Sequence, residues 1–232
     1  MEVILVRHGA TKSNIEAGAY SGWVDLELAE SGIAQAQMAA ERLRSAPVSR
    51  VVCSDLRRAI RTGEIIAEPH GLQPEIAPAW RELNYGEWDG LTVAQVDQRW
   101  PGARKRLSED PDFRLPGGET LAELLARLLP ALSALQDGAG PEEAVVVVSH
   151  KAAIRVLLCH LLGLPINRYK QIEQENCAIN RLRPTSSRRA GVPPAIPALV
   201  GETPAPRESV RDGSFVVTGV NLTDHLLSPT EL

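Results

Sequence analysis

The sequence is poor in cysteine and has no apolar run of membrane length. Its three cysteines, Cys53, Cys159 and Cys177, form neither an even-numbered framework nor a Cys-x-x-Cys pair. This pattern excludes a disulfide-stabilised secreted class. No apolar run approaches the ~18 residues of a membrane-spanning helix, and the opening Met-Glu-Val-Ile-Leu-Val is too short and too acidic for a signal peptide. We therefore expect a cytoplasmic protein without a membrane partner.

The charge balance shows no excess of either sign that would suggest a polymeric partner. The chain has 25 Lys and Arg residues against 29 Asp and Glu residues, which gives a net charge of −4. Phosphate contacts with nucleic acid favour a basic excess, so we expect no nucleic-acid partner. The 232 residues are enough for one domain with its own apolar core. We predict a single domain over residues 1–232.

Short apolar runs alternate with helical patterns along the chain. Repeated alternation of this kind is typical of an α/β domain. We predict a three-layer sandwich with a mostly parallel central sheet. Buried strands are predicted at Val3–Val6, 51–53 and Val145–Val148. Helices are predicted over 32–44 with a Ser31 cap, from a Ser54-Asp55 cap towards Gly71, over 119–135 with a kink at Pro130, and over 151–162.

Residues 184–214 depart from this alternation. They contain six of the seventeen prolines and no aromatic residue. So little apolar surface cannot offset the entropy of ordering, and we predict a proline-rich, mobile insertion. The flanking segments, Cys177–Leu182 and Phe215–Val220, are predicted strands, which makes the insertion the long loop of a C-terminal hairpin. A tethered surface loop without function is the alternative.

Charged and polar side chains follow the predicted strands directly. Ligands bind in the crevice beyond the carboxyl ends of parallel strands, and a helix that begins there offers free N–H groups to an anion. We expect these side chains to lie close together: Arg7, His8, Thr11 and Asn14 after the first strand, Arg58 after the second, Glu82 in the loop that follows, and His150 after the strand of valines.

Two histidines, two arginines and one carboxylate are typical of phosphoryl transfer without a metal or an organic cofactor. Guanidinium groups pair with phosphate oxygens two at a time. Nearby arginines also disfavour protonation of an imidazole, so a histidine stays nucleophilic at neutral pH and can accept the phosphoryl group covalently. A carboxylic acid with an elevated pKa can protonate the departing alkoxide. Glu82 is the candidate for that role.

The ordered set of motifs resembles the histidine phosphatase superfamily, the phosphoglycerate-mutase-like proteins. Arg7-His8-Gly9-x-Thr11-x-x-Asn14 is similar to the family signature. The resemblance implies that His8 is the phosphohistidine nucleophile and that Arg7 binds phosphate. By the same resemblance the further roles are a second phosphate arginine at Arg58, a proton donor at Glu82, a second phosphate histidine at His150, and a substrate-loop turn at Ser21-Gly22-Trp23.

The chain departs from the family pattern at position 151, where the family more often has glycine or another small residue. Lys151 either adds a cation to the pocket or points away from it along its helix, and the sequence leaves both open. We place substrate discrimination in the loops around 18–25, 80–90 and 100–116. The predicted substrate-binding residues are Asn14, Thr11, Ser21, Gly22 and Lys151.

Rival chemistries fail specific checks. The sequence contains no Gly-x4-Gly-Lys-Ser/Thr loop for a nucleotide. The stretch from Cys177 to Arg183 has the spacing of a cysteine phosphatase, but it lacks glycine and has the pattern of a strand. His8 and His150 could bind a metal, yet the neighbouring arginines would repel one.

The resemblance predicts a phosphomonoester hydrolase that acts on a small phosphorylated metabolite through a phosphohistidine. The compact stretch after Glu82 favours the phosphatase branch. The alternatives are a 2,3-bisphosphoglycerate-dependent-type phosphoglycerate mutase, or a phospholigand-binding protein without turnover. The sequence leaves the metabolite and the oligomeric state open, and a homodimer is compatible with it.

Overall fold

A computed structural model describes residues 1–16, 18–185 and 215–226. Within these ranges the strands form one six-stranded sheet with the order β3-β2-β4-β1-β5-β6. The first four strands in that order are parallel, whereas β5 runs antiparallel to both β1 and β6. The strands are β1 (Glu2–Arg7), β2 (Val48–Cys53), β3 (Glu75–Ile76), β4 (Ala144–Ser149), β5 (Ile179–Pro184) and β6 (Phe215–Leu222).

Helices cover both faces of this sheet, which confirms the predicted three-layer α/β sandwich. Alternate residues of β1 enter different apolar clusters: Val3 and Leu5 pack on the side of α6 and α7, and Ile4 and Val6 on the side of α2 and α3. The helices are α1 (Lys12–Glu16), α2 (Glu30–Leu43), α3 (Arg57–Ala67), α4 (Val93–Arg99), α5 (Ala103–Glu109), α6 (Leu121–Ala134) and α7 (Lys151–Leu161).

The central strands have apolar side chains on both faces because both faces are covered. All six residues of β4 are buried, and Val145 to Val148 are fully inaccessible. The β4 register places Ser149 opposite Arg7, so the polar residues that end the two strands emerge side by side. This alignment positions the candidate site. Among the helices above, none combines the length and the apolar composition needed to span a bilayer.

Two predicted helix caps are wrong. Ser31 lies inside α2, whose N-cap is Ala29 and has no side-chain cap bond. Helix α3 begins at Arg57, and the Arg57 N–H donates to the carboxylate of Asp25 at 2.8 Å. Asp25 is 32 residues away in sequence, so this capping partner lay outside any local pattern. Ser54 instead accepts a bond from the N–H of Leu56 within the preceding turn.

The other predicted elements are present with shifted boundaries. Helix α6 begins after Thr120, whose hydroxyl forms a capping box with Glu123, and it continues through Pro130. The C-terminal hairpin is formed by β5 and β6, with Pro184 paired to Phe215 at its outer end. The predicted insertion between them lies outside the described residues, apart from its first two positions.

Candidate active site

A cleft of about 230 Å³ opens at the carboxyl ends of β1, β2 and β4. The structure brings nine of the ten residues predicted for the site into its lining. His150 lies directly behind them, with its ring centroid 5.1 Å from that of His8. The nine are Arg7, His8, Thr11, Asn14, Ser21, Gly22, Arg58, Glu82 and Lys151.

The His8 ring is held in one orientation. Its Nδ1 lies 2.8 Å from the carbonyl oxygen of Gly9. A carbonyl can only accept, so Nδ1 carries the proton and the lone pair is on Nε2. Burial is the main cause that holds the pKa of His8 well below its usual value, and the charges of Arg58 and Arg7 lower it further. His8 is therefore an uncharged imidazole with a free Nε2 at neutral pH.

His150 is fully buried, and neither ring nitrogen has a hydrogen-bond partner among the described residues. Buried polar atoms are nearly always paired, so an orphaned imidazole at a cleft marks a place for a ligand. Burial lowers the pKa of His150 well below its usual value, and Arg58 and His8 lower it further. A neutral His150 can donate one hydrogen bond to an anion.

Main-chain carbonyls orient the two arginines without neutralising them. Arg7 donates from Nη1 to the carbonyl of Gln174 at 2.7 Å. Arg58 donates to the carbonyls of Val24 and Gly22, both at 2.7 Å. In the described structure the Nε atoms of both arginines are buried without a partner. Burial lowers the pKa of Arg7 to about 10, with the carboxylate of Glu82 opposing it, so both cations stay charged at neutral pH.

A buried amide pair supports Arg7 from behind. Gln174 and Asn180 exchange two side-chain hydrogen bonds, of 2.7 and 2.9 Å. Asn180 also donates to the carbonyl of Leu5 in β1. Both amide side chains are fully buried. This pair fixes the segment whose carbonyl accepts from Arg7, and no sequence motif indicated it.

Glu82 contacts the first turn of α7. Its Oε1 accepts from the N–H groups of Leu83, Ala152 and Ala153 at 2.8, 3.1 and 3.0 Å. Its Oε2 accepts only from the N–H of Ala152, at 3.1 Å. The two carboxyl oxygens are therefore unequal. Oε2 has the spare capacity to carry a proton, while Oε1 anchors the side chain at the positive end of the helix.

The family model for the histidine phosphatase superfamily (branch 1) matches residues 3–192. The chain belongs to the histidine phosphatase superfamily. The match includes both histidines, both arginines and Glu82, so the motif-based resemblance in the sequence is confirmed.

Relatives of this superfamily member have two kinds of name. A probable phosphoglycerate mutase GpmB of Proteus mirabilis is 36% identical over 186 residues, which cover 78% of this chain and 84% of that protein. A mycobacterial glucosyl-3-phosphoglycerate phosphatase, solved with VO3, matches with a TM-score of 0.71 and 34% identity over 78% of this chain and 92% of that one. A putative alpha-ribazole-5'-P phosphatase from Escherichia coli matches with a TM-score of 0.69 and 26% identity, covering 78% and 89%.

The smaller polar residues of this histidine phosphatase cleft have distinct surroundings. Thr11 is buried, and its hydroxyl has no partner within the described ranges. The side-chain oxygen of Asn14 accepts from the N–H of Thr11 at 3.1 Å, which leaves its amide nitrogen for a ligand. The hydroxyls of Ser21 and Ser13 lie 2.9 Å apart. Gly22 contributes its carbonyl to Arg58, so the turn at Ser21-Gly22-Trp23 is tied to this arginine.

The loop that carries Glu82 is fixed from outside the cleft, and the sequence analysis did not single out Arg127, the main residue that holds it. Arg127 of α6 donates to the carbonyls of Glu82 and Ala79 at 2.6 and 2.8 Å. Glu119 pairs with Arg127 at 2.8 Å and accepts from the N–H of Asn84 at the same distance. The indole of Trp23 also donates to the carbonyl of Glu82.

The structure decides between the two orientations of Lys151, because this residue lines the cleft. Of the three loops predicted to discriminate substrates, those around 18–25 and 80–90 contribute to the lining, whereas no described residue of 100–116 does. The role of these loops in discrimination stays a prediction. The lining also includes Arg155, Tyr169 and Lys170. Arg155 follows Lys151 by four positions and so shares its helix face, a signal that the sequence contained. Nothing in the sequence indicated Tyr169 and Lys170.

The cysteine-phosphatase alternative finds no support. Burial raises the pKa of the Cys177 thiol to about 12, so it is not a thiolate near neutral pH. In the part of the chain that the structure describes, no three His, Cys, Asp or Glu side chains are grouped to hold a metal ion.

Proposed function

We propose that the protein hydrolyses a small phosphorylated metabolite through a phosphohistidine on His8. One observation carries this proposal: His8 is fixed with a free Nε2, and burial together with the charges of Arg58 and Arg7 lowers its pKa. A neutral nucleophile, His8, and two charged groups that can bind an anion, Arg7 and Arg58, are therefore present together at neutral pH. The mycobacterial phosphatase, which has been solved with VO3 and with inorganic phosphate, supports a small phosphorylated ligand.

The first step transfers the phosphoryl group to the protein. Arg7, Arg58 and His150 hold the phosphoryl oxygens. The Nε2 lone pair of His8 attacks phosphorus in line, an N–P bond forms, and the ester P–O bond breaks. Glu82 protonates the departing oxygen from Oε2, so the alcohol leaves uncharged.

The second step returns the site to its starting state. A water molecule attacks phosphorus while the Glu82 carboxylate takes its proton. The N–P bond breaks, its electron pair returns to Nε2 of His8, and inorganic phosphate leaves. A mutase would instead transfer the phosphoryl group back to a second oxygen of the substrate. The relatives named probable phosphoglycerate mutase make this the second candidate function.

Rapid quenching of a phosphomonoester reaction, followed by mass spectrometry, tests the intermediate. We expect an acid-labile phosphoryl adduct on His8 and none in His8→Ala. Release of phosphate from a metabolite panel, measured beside conversion of 3- to 2-phosphoglycerate, separates hydrolase from mutase. Binding of phosphate esters without any turnover or adduct would instead support a phospholigand-binding protein.

A further inference from the structure

The cleft holds more positive charge than one phosphate group requires. Beyond Arg7 and Arg58, its wall includes three further cations, which we call the outer cationic cluster: Lys151, Arg155 and Lys170. Glu82 is the one carboxylate among the described residues of the lining. A dianionic phosphate monoester would therefore leave an excess of positive charge in the cleft.

Among the described residues, no carboxylate lies within salt-bridge distance of the outer cationic cluster, although Glu82, Glu173 and Glu175 are near enough to oppose the lowering of the pKa values of Lys151 and Arg155. Within residues 1–16, 18–185 and 215–226, none of its members forms a salt bridge, whereas neighbouring Arg104 pairs with Asp97 at 2.7 Å. Arg155 has a buried Nε without a partner among those residues. Lys170 donates to the hydroxyl of Ser108 at 2.8 Å, which is a neutral contact.

When no anion is bound, the surroundings of these cations disfavour their positive charge. Lys151 is the first residue of α7, where the helix dipole disfavours a positive charge, and the first turn has no acidic residue. Burial and then the charges of Arg7 and Arg155 lower the pKa of Lys151. Arg155 also lowers the pKa of Lys170, after burial and Arg104. Such local conflicts are expected at functional sites.

We propose that Lys151, Arg155 and Lys170 form a second anion subsite, and that the substrate is a phosphomonoester bearing a second acidic group, either a carboxylate or a second phosphate. The inference rests on the proposed function, because Arg7, Arg58 and His150 must hold the phosphoryl group at the other end of the same molecule. The cleft of about 230 Å³ suits a small metabolite.

The test compares substrates that differ by the second acidic group. 3-Phosphoglycerate and glycerol 3-phosphate differ in a carboxylate, while fructose 1,6-bisphosphate and fructose 6-phosphate differ in a phosphate. We expect kcat/KM to favour the acidic member of at least one pair by roughly tenfold or more, since a hydrogen bond to a charged group is worth that much. The favoured pair identifies the second group.

The double substitution Lys151→Met with Arg155→Met should reduce this ratio to within about twofold of one, mainly through KM. Arg155→Lys keeps the charge and should retain part of the preference. The control is Lys105→Met with Arg61→Met, which removes the same net charge from exposed positions on α5 and α3. The control should keep the wild-type ratio.

A ratio near one for both pairs in the wild type, or an unchanged ratio in the folded double variant, would overturn the subsite. If the double variant fails to fold by circular dichroism, Lys151→Met alone replaces it, because this side chain is only partly buried.

If the wild type hydrolyses no ester, including p-nitrophenyl phosphate, the proposed function fails. The subsite is then tested by calorimetry, which compares the affinities for 3-phosphoglycerate and glycerol 3-phosphate. If the wild type binds 3-phosphoglycerate more tightly and the double variant loses this difference, the subsite is retained. Equal affinities in the wild type would reject it.

Discussion

Arg58 acts on both imidazoles of the site. Its charge is the largest cause after burial that lowers the pKa of His8 and of His150. From the sequence, the arginines alone explain a neutral histidine, whereas in the structure desolvation is the larger cause. Burial therefore contributes most to keeping His8 neutral and nucleophilic, and the charges of the arginines lower its pKa further.

Replacing Arg58 should make His8 easier to protonate. Arg58→Met removes a positive charge, so the pKa of His8 should rise towards its ordinary value of 6.5. Nitrogen-detected NMR titration of the imidazole measures this directly, and the acid limb of kcat/KM should move to higher pH with it. The neighbouring Arg57 pairs with Asp25 and Glu27 at the surface, and Arg57→Met should leave the His8 titration unchanged. An equal shift in both variants would refute the account.

At the scale of elements, the Glu82 loop joins two helices. The carboxylate of Glu82 contacts the first turn of α7, while its carbonyl accepts from Arg127 of α6. The predicted role of Glu82 as proton donor therefore depends on a loop whose position is set by contacts distant in sequence. Arg127 is a positioning residue, because it holds the backbone of Glu82 and stays outside the cleft lining.

Arg127→Met should lower kcat roughly 10- to 100-fold with a smaller effect on KM, since a displaced acid impairs chemistry more than binding. Arg127→Lys should recover part of kcat because it can donate to one carbonyl. Arg114→Met is the matched control, since Arg114 also pairs with a carboxylate of α6, Glu123, but lies at the surface. Steady-state kinetics of a phosphomonoester distinguish the variants. A change confined to KM would argue against a positioning role.

The start of α2 is packed tightly against the loop that follows β1. A Cβ at Gly32 would lie 2.1 Å from the carbonyl oxygen of Ala10, which is backbone and cannot move freely. Gly32→Ala should cost roughly 1–3 kcal/mol in the free energy of unfolding and lower kcat/KM, because the displaced loop carries His8. Chemical denaturation measures the first effect.

Ser31→Ala is the control at the adjacent exposed position. It should change stability by less than about 0.5 kcal/mol, because Ser31 makes no cap bond at the start of α2. A loss of about 1 kcal/mol would instead indicate a true N-cap and would contradict the structure.

At the scale of the whole molecule, the strands of the C-terminal hairpin lie next to each other at the site of the predicted insertion. Pro184 pairs with Phe215, so the chain ends that enter and leave the segment are adjacent. The single domain over 1–232 and the mobile insertion over 184–214 stay predictions. The family match and the site residues lie in the part of the chain before the segment or at its edge.

Replacing residues 185–214 with Asn-Gly should therefore preserve the enzyme. This dipeptide favours a two-residue hairpin turn, and a shorter loop costs less closure entropy. We expect cooperative unfolding, a Tm within a few degrees of the full chain and kcat/KM within about twofold. Scrambling the sequence of 186–214 at constant length serves as the control. A folded replacement variant that has lost activity would show that the segment contributes to function.

Local patterns in the sequence were enough to predict five of the six described strands, the helices α2, α3, α6 and α7, and most of the cleft lining, but not β3, α1, α4 or α5. Buried strands such as Val145–Val148 are apolar on both faces, and His8 and Arg58 follow their strands directly, so the parallel topology brings them together. The caps at Ser31 and Ser54 were wrong because a local signal cannot reveal that Asp25 occupies the start of α3.

The sequence by itself determined the fold class and the family, since these depend on periodicity and on short motifs at strand ends. The tertiary structure alone decided the electrostatics. Contacts between residues far apart in the chain decide three features of the site. They decide that Lys151 faces the cleft, which oxygen of Glu82 is free to carry a proton, and that Arg155 and Lys170 lie in the same wall. Burial and long-range packing set those contacts, and no local pattern encodes them.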